Sequence, residues 1–121
     1  MAAIDIHFFF TMREQIKLYH WQTESYSRHK ATDAALEKLD ELIDSFVEVY
    51  IGKYGRPRLT GKTNTVQIQN LNDKTIMKFI LNCLKYVSEG LHFQKRDTDL
   101  ANIRDEMMAE LNQLLYLFSL H

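Results

Sequence analysis

Gly52-Lys53-Tyr54-Gly55-Arg56-Pro57-Arg58-Leu59-Thr60-Gly61 holds the only proline of the chain and three of its four glycines. Proline lacks an amide donor and clashes inside a helix, and glycine loses the most backbone entropy there, so both residues punctuate helical chains. With the breakers gathered in one window, long unbroken segments remain on either side. Apolar residues recur through them at three- and four-residue steps. Leu36, Leu39, Ile43, Phe46 and Tyr50 make one such stripe. Ile76, Ile80, Cys83, Val87 and Leu91 make another, and Leu100, Ile103, Met107, Leu111, Leu114 and Phe118 a third. Phe8, Phe9, Met12, Ile16 and Tyr19 mark the first segment. This is the period of amphipathic helices. The chain reads as all-α, with helices over 4–25, 29–53, 73–92 and 97–119. Asn72 or Asp73 is placed to cap the third helix, and Asp97-Thr98-Asp99 the fourth.

The spacing of these helices bears on topology. Ser25, Tyr26 and Ser27 form a short turn, which forces the first two helices antiparallel. Residues 54–72 form a long connection in which Thr65-Val66-Gln67-Ile68-Gln69 reads as extended. A helix of about 25 residues spans about 37 Å. Nineteen residues of open chain reach about 60 Å, enough to return along the whole bundle. Helices two and three then run parallel, although the same length also suits a plain up-down bundle with a loose loop. The expected fold is a ferritin-like four-helix bundle with one long crossover between helices two and three.

The chain has 121 residues, which suits one domain over 1–121. Its 45% apolar content is sufficient to close a core. Cys83 is the only cysteine, so no disulfide forms within the chain. No apolar run approaches the ~20 residues of a membrane span, and no export signal opens the sequence. A cytoplasmic location with no membrane partner is the expectation. The net charge of −1 argues against a domain built mainly to grip nucleic acid.

Glycine-rich phosphate loops, Cys-x-x-Cys pairs and nucleophile elbows are absent. What stands out is a set of metal-capable side chains: His20, His29, Asp33, Asp44 and Glu48. Imidazole with carboxylate suits iron, manganese or zinc. On spacing alone, Asp33, Glu37, Asp40, Asp44 and Glu48 also read as an ordinary solvated helix face. Asp44 and Glu48, four apart, share one face. His29 and Asp44 lie fifteen residues apart on one helix, about 22 Å along its axis, so one ion cannot bind both in one chain. Two antiparallel copies of that helix about a two-fold axis would bring His29 of one chain to Asp44 and Glu48 of the other. If this set binds metal, the site is shared and the protein is at least a homodimer.

Lys17-Leu18-Tyr19-His20-Trp21-Gln22, followed by His29 and then by Asp44 and Glu48, resembles the Dps family of mini-ferritins. The segment from Asp97 to Phe118 is similar to that family's last helix. The resemblance implies a di-iron ferroxidase site between subunits, with His20, His29, Asp44 and Glu48 as metal ligands. It makes Asp33 and Trp21 supporting residues, and ferrous iron oxidation, iron sequestration or oxidative protection the function. Short relatives of this kind look like those of phages and large DNA viruses, which implies a host-cytoplasm setting. The chain departs from the pattern in three ways. The stretch from His20 to His29 is shorter than usual. No lysine-rich arm precedes the first helix, so DNA binding is not expected. The crossover leaves little room for an extra helix, so a dimer or small assembly is expected in place of a twelve-subunit cage. The competing expectation is a non-catalytic ferritin-like dimer that serves as an interaction module, its site vestigial or filled by zinc.

Other candidate groups are weaker. Glu89-Gly90-Leu91-His92 has the E-x-x-H spacing of di-iron bundles, but only once. With His7 and Glu48 it would make an intrachain cluster at one bundle end. Met107-Met108 and Phe8-Phe9-Phe10 read as core. Lys53, Arg56, Arg58 and Lys62 form a basic patch in the crossover, ordinarily solvated surface and otherwise a weak phosphate or nucleic-acid contact.

Overall fold

The computed structural model describes residues 2–120. Four α-helices carry the chain: α1 Ala2–Gln22, α2 Tyr26–Tyr54, α3 Thr75–Lys85 and α4 Thr98–Phe118. A π turn, Tyr86–Gly90, continues α3. No strand occurs among the described residues, and Thr65–Gln69 runs as irregular chain. No helix is long and apolar enough to cross a membrane.

Local chemistry explains where the helices begin. Ser25 caps α2, its Oγ accepting from the Arg28 amide at 3.3 Å, so α2 starts three residues before the expected Arg28–His29 edge. Asn72 Oδ1 accepts from the amides of Lys74 and Thr75, both at 2.9 Å, and organises the entry to α3. Asp97 occupies the N-cap position of α4, but its side chain does not cap the helix. Its carboxylate instead accepts from the Gln94 amide at 3.0 Å and from the Tyr54 hydroxyl, and it lies 3.6 Å from Lys53 Nζ. Gly55, at φ 89°, ends α2 in the left-handed region that glycine enters without strain.

Contacts between helix ends set the topology. Tyr54 and Lys53 of α2 meet Asp97 at the start of α4, and Arg28 at the start of α2 reaches Phe118 O at the end of α4. These two helices are therefore antiparallel. Asp5 of α1 bonds Tyr86 and His92 beyond α3, while Tyr19 bonds Asp73 before it, so α1 and α3 are antiparallel too. Since α1 and α2 form a hairpin, α2 and α3 run parallel, and the crossover travels the bundle length. It lies along α1: His7 Nε2 donates to Thr65 O at 2.8 Å, and Gln22 Nε2 to Asn70 Oδ1 at 2.8 Å. Between these two contacts, buried Gln15 bonds both the amide and the carbonyl of Gln69, at 2.9 and 2.6 Å.

The core is built from Met12, Ile16 and Tyr19 of α1, Leu39 and Phe46 of α2, Ile76 and Ile80 of α3, and Met107, Leu111 and Leu114 of α4. Each large apolar side chain fully removed from water contributes about 1.5–3 kcal/mol. Ile43, expected in the α2 stripe, is only half-buried. Ala35 and Leu42 take the interior instead, because α2 packs on α1 along one side and α4 along the other.

Candidate metal site

The three-residue link Thr23–Ser25 folds the end of α1 back onto the start of α2. His20 and His29 lie on either side of this turn, and their rings stack with centroids 3.9 Å apart and planes 15° from parallel. The hydrogen-bond network assigns the tautomer of each. His29 Nδ1–H donates to the His20 carbonyl at 2.9 Å. The Thr32 hydroxyl donates to the carbonyl of Arg28 at 2.8 Å, so it accepts from His20 Nδ1–H, also at 2.8 Å. Both imidazoles thus carry their proton on Nδ1 and keep the Nε2 lone pair. A metal-ligating histidine is oriented in this way by donating its other nitrogen to a carbonyl or hydroxyl. Burial, and next the charge of His29, hold His20 below the usual histidine range, so its neutral, ligating form is favoured. Asp33 is exposed one turn beyond His29 and opposes that shift.

Asp44 and Glu48 are exposed toward the other end of α2. The unbroken α2 keeps them far from the histidines of their own chain, as fifteen residues of helix require. Among the described residues, no three or more His, Cys, Asp or Glu side chains gather as a metal cage. The intrachain cluster of His7, Glu48, Glu89 and His92 is therefore not formed. His7 is spent on Thr65 O, and His92 Nδ1 lies 2.9 Å from Asp5 Oδ1. Buried Asp5 also accepts from the His92 amide at 2.8 Å and the Tyr86 hydroxyl at 2.7 Å. Sequence reasoning misses Asp5, although it falls on the buried stripe with Phe9, Met12, Ile16 and Tyr19. A carboxylate in an apolar stripe signals a buried partner.

Trp21 is exposed, with Lys17 Nζ 5.3 Å from its ring centre. It borders a groove between α1 and α2. One stretch, about 250 Å³, is lined by Lys17, Trp21 and Leu36, and another, about 340 Å³, by Ile6, Phe10, Ile43, Asp44 and Val47. Arg13 and Asp40 line both stretches, and Arg13 Nε donates to Asp40 Oδ1 at 2.7 Å.

The fold and site describe an all-helical protein that presents a pair of tautomer-fixed imidazoles at one bundle end and an open groove beside them. Residues 20–118 match the family described as "Family of unknown function (DUF5856)", and the chain belongs to that family. The matched span opens on His20 and includes His29, Asp44, Glu48 and the crossover. The chain is also similar to the "Uncharacterized 14.6 kDa protein in mobD-ri intergenic region" of Enterobacteria phage T4, with 51% identity over 37 residues. That match covers 31% of this chain and 29% of the phage protein. No solved structure matches.

Proposed function

We propose that the chain is a Dps-like, ferritin-type protein that works as a two-fold dimer and oxidises ferrous iron at a site shared between subunits. The stacked pair His20–His29 carries this reading. A nitrogen lone pair lies in its ring plane, and nearly parallel planes do not converge on one point, so each imidazole serves its own ion. Ring centres 3.9 Å apart fit the ~3.5–4 Å spacing of two-metal centres. Asp44 and Glu48 of the partner subunit complete the donor set, a mixture of nitrogen and carboxylate oxygen suited to iron. Two ferrous ions give one electron each to a peroxide, which takes up two protons and leaves as two waters. The groove supports the dimer. An antiparallel copy sets Lys17 and Trp21 against Asp44 and the apolar stretch around Phe10, charge against opposite charge.

Calorimetric titration with ferrous iron under anaerobic conditions, followed by peroxide or oxygen, tests this reading. The wild type takes up two ions per shared site and then develops ferric absorbance. Asp44→Ala combined with Glu48→Ala abolishes uptake and leaves the helical circular dichroism intact. Unchanged stoichiometry in the double variant refutes the assignment. Binding without oxidation reassigns the site to a zinc-type structural dimer, and no binding by the wild type leaves an interaction module.

A further inference from the structure

At the opposite bundle end the chain leaves α2 through Gly55, and half-buried Pro57 borders a small recess lined also by Asp5, Phe9, Phe46 and Tyr50. Pro57 anchors the strap there, and its neighbours Arg56 and Arg58 are exposed. Both arginines line one open cleft of about 280 Å³, with Tyr50 and Tyr54 as its other large side chains and no carboxylate among the described residues of its wall. Arg13, Arg28 and Arg104 are all held by acids or carbonyls. Neither Arg56 nor Arg58 has a hydrogen bond or ion pair among the described residues. The nearby acids are held by other groups: Asp97 by the Tyr54 hydroxyl at the cleft edge and by Lys53, Asp99 by Lys53, and Asp5 by Tyr86 and His92. Arg96 adds a third positive charge near the Tyr54 hydroxyl. Tyr54 is 41% exposed, its ring centre 4.9 Å from that of Tyr50, so an aromatic surface stands beside the cations.

We propose that this cleft binds a nucleotide unit, its phosphate between Arg56 and Arg58 and its base against Tyr54. Guanidinium forks match phosphate oxygens in geometry and charge, and aromatic rings beside a cationic groove take bases without regard to sequence. The volume admits a single unit. The unit comes from a free nucleotide or from a single strand passing across the bundle end. The cleft shares no residue with the histidine or acid pairs, so it stands apart from the metal reading.

The test uses the full chain. Anisotropy of a labelled single-stranded oligothymidylate and calorimetry with adenosine monophosphate and inorganic phosphate are run on the wild type, Arg56→Ala/Arg58→Ala and Tyr54→Leu. Circular dichroism confirms that the variants fold. The arginine double variant binds about tenfold or more weakly, and the logarithmic salt slope for the strand falls by about 0.7 for each phosphate no longer neutralised. Tyr54→Leu weakens both nucleotide probes while sparing inorganic phosphate. Preference for the oligomer identifies a strand as the source, and equal affinity per unit identifies free nucleotide. No binding of either nucleotide probe, or equal binding by the arginine double variant, overturns the proposal. Binding that is indifferent to Tyr54 and equalled by inorganic phosphate overturns it as well.

Discussion

Arg28 shows how much one side chain organises at the histidine end. Its Nη1 donates to Tyr19 Oη at 3.0 Å and to Asp73 O at 2.8 Å, and its Nη2 donates to Phe118 O at 3.2 Å. The guanidinium also lies 4.5 Å from the Phe118 ring centre. It therefore joins α2 to α1, to the entry of α3 and to the negative end of α4, where a cation is favoured. Close to it, His20 leaves a titration signature. Its folded value lies below the unfolded value of about 6.5. Above that pH both states are neutral and stability does not change through this group. As pH falls through about 6.5 the unfolded chain binds a proton that the folded chain resists, so stability drops, by at most about 1.4 kcal/mol per pH unit for one group. Urea unfolding at pH 7.5 and 5.5 shows this loss in the wild type. His20→Asn, which keeps a donor for Thr32, flattens it. His20, His29, Asp44 and Glu48 could be singled out from residue type and spacing. Arg28 could not, because its partners lie up to 90 residues away and nothing local distinguishes it from a solvated arginine.

Among the elements, α3 departs most from expectation. Periodicity predicts one helix through 92, and the apolar stripe does continue through Cys83 and Val87, both buried. The backbone bonding nevertheless widens to a π turn at Tyr86–Gly90. The Tyr86 ring stacks on Phe8, centres 4.0 Å apart, and its hydroxyl bonds Asp5; burial, and next that bond, raise it above the usual tyrosine range. A Cβ on Gly90 would lie 3.0 Å from two atoms of that ring. Alanine is the better helix former by about 1 kcal/mol. Here the ring is stacked on Phe8 and its hydroxyl is tied to Asp5, which opposes its moving aside, so Gly90→Ala destabilises the fold by about 1–3 kcal/mol. Thermal or urea unfolding measures the change, and a neutral or stabilising result would show that the ring moves aside. The four helices were legible because apolar period and breaker position agree. The π turn was not, since side-chain spacing does not encode the register of backbone bonds. Gly90 within a helical pattern was its one sign.

For the whole molecule, a link able to span the bundle was readable from chain length, while the parallel course of α2 and α3 rests on contacts such as Tyr19 with Asp73 and Asp5 with Tyr86. The role of the groove between α1 and α2 was less readable: Ile43 belongs to the apolar stripe by spacing yet lines the open face. Phe10, 42% exposed, lies on the same face. On the proposed dimer, with a second copy seated there, Phe10→Asp weakens dimerisation about thirtyfold or more, the scale of a hot-spot loss of about 2 kcal/mol. Sedimentation or light scattering across a concentration series measures the shift, and an unaltered assembly would place the interface elsewhere. The strap that joins the two hairpins has a further consequence. Between Arg58 and Thr65 its hydrogen bonds, among the described residues, close only on the Thr60–Asn64 turn itself, where the Thr63 amide meets Thr60 O at 2.7 Å. Doubling a flexible link costs only about 0.6 kcal/mol in closure entropy. The Gly61-Lys62 position is thus a natural docking port for guest sequence: a peptide tag or small cargo domain spliced in there would ride outside the bundle with both hairpins undisturbed.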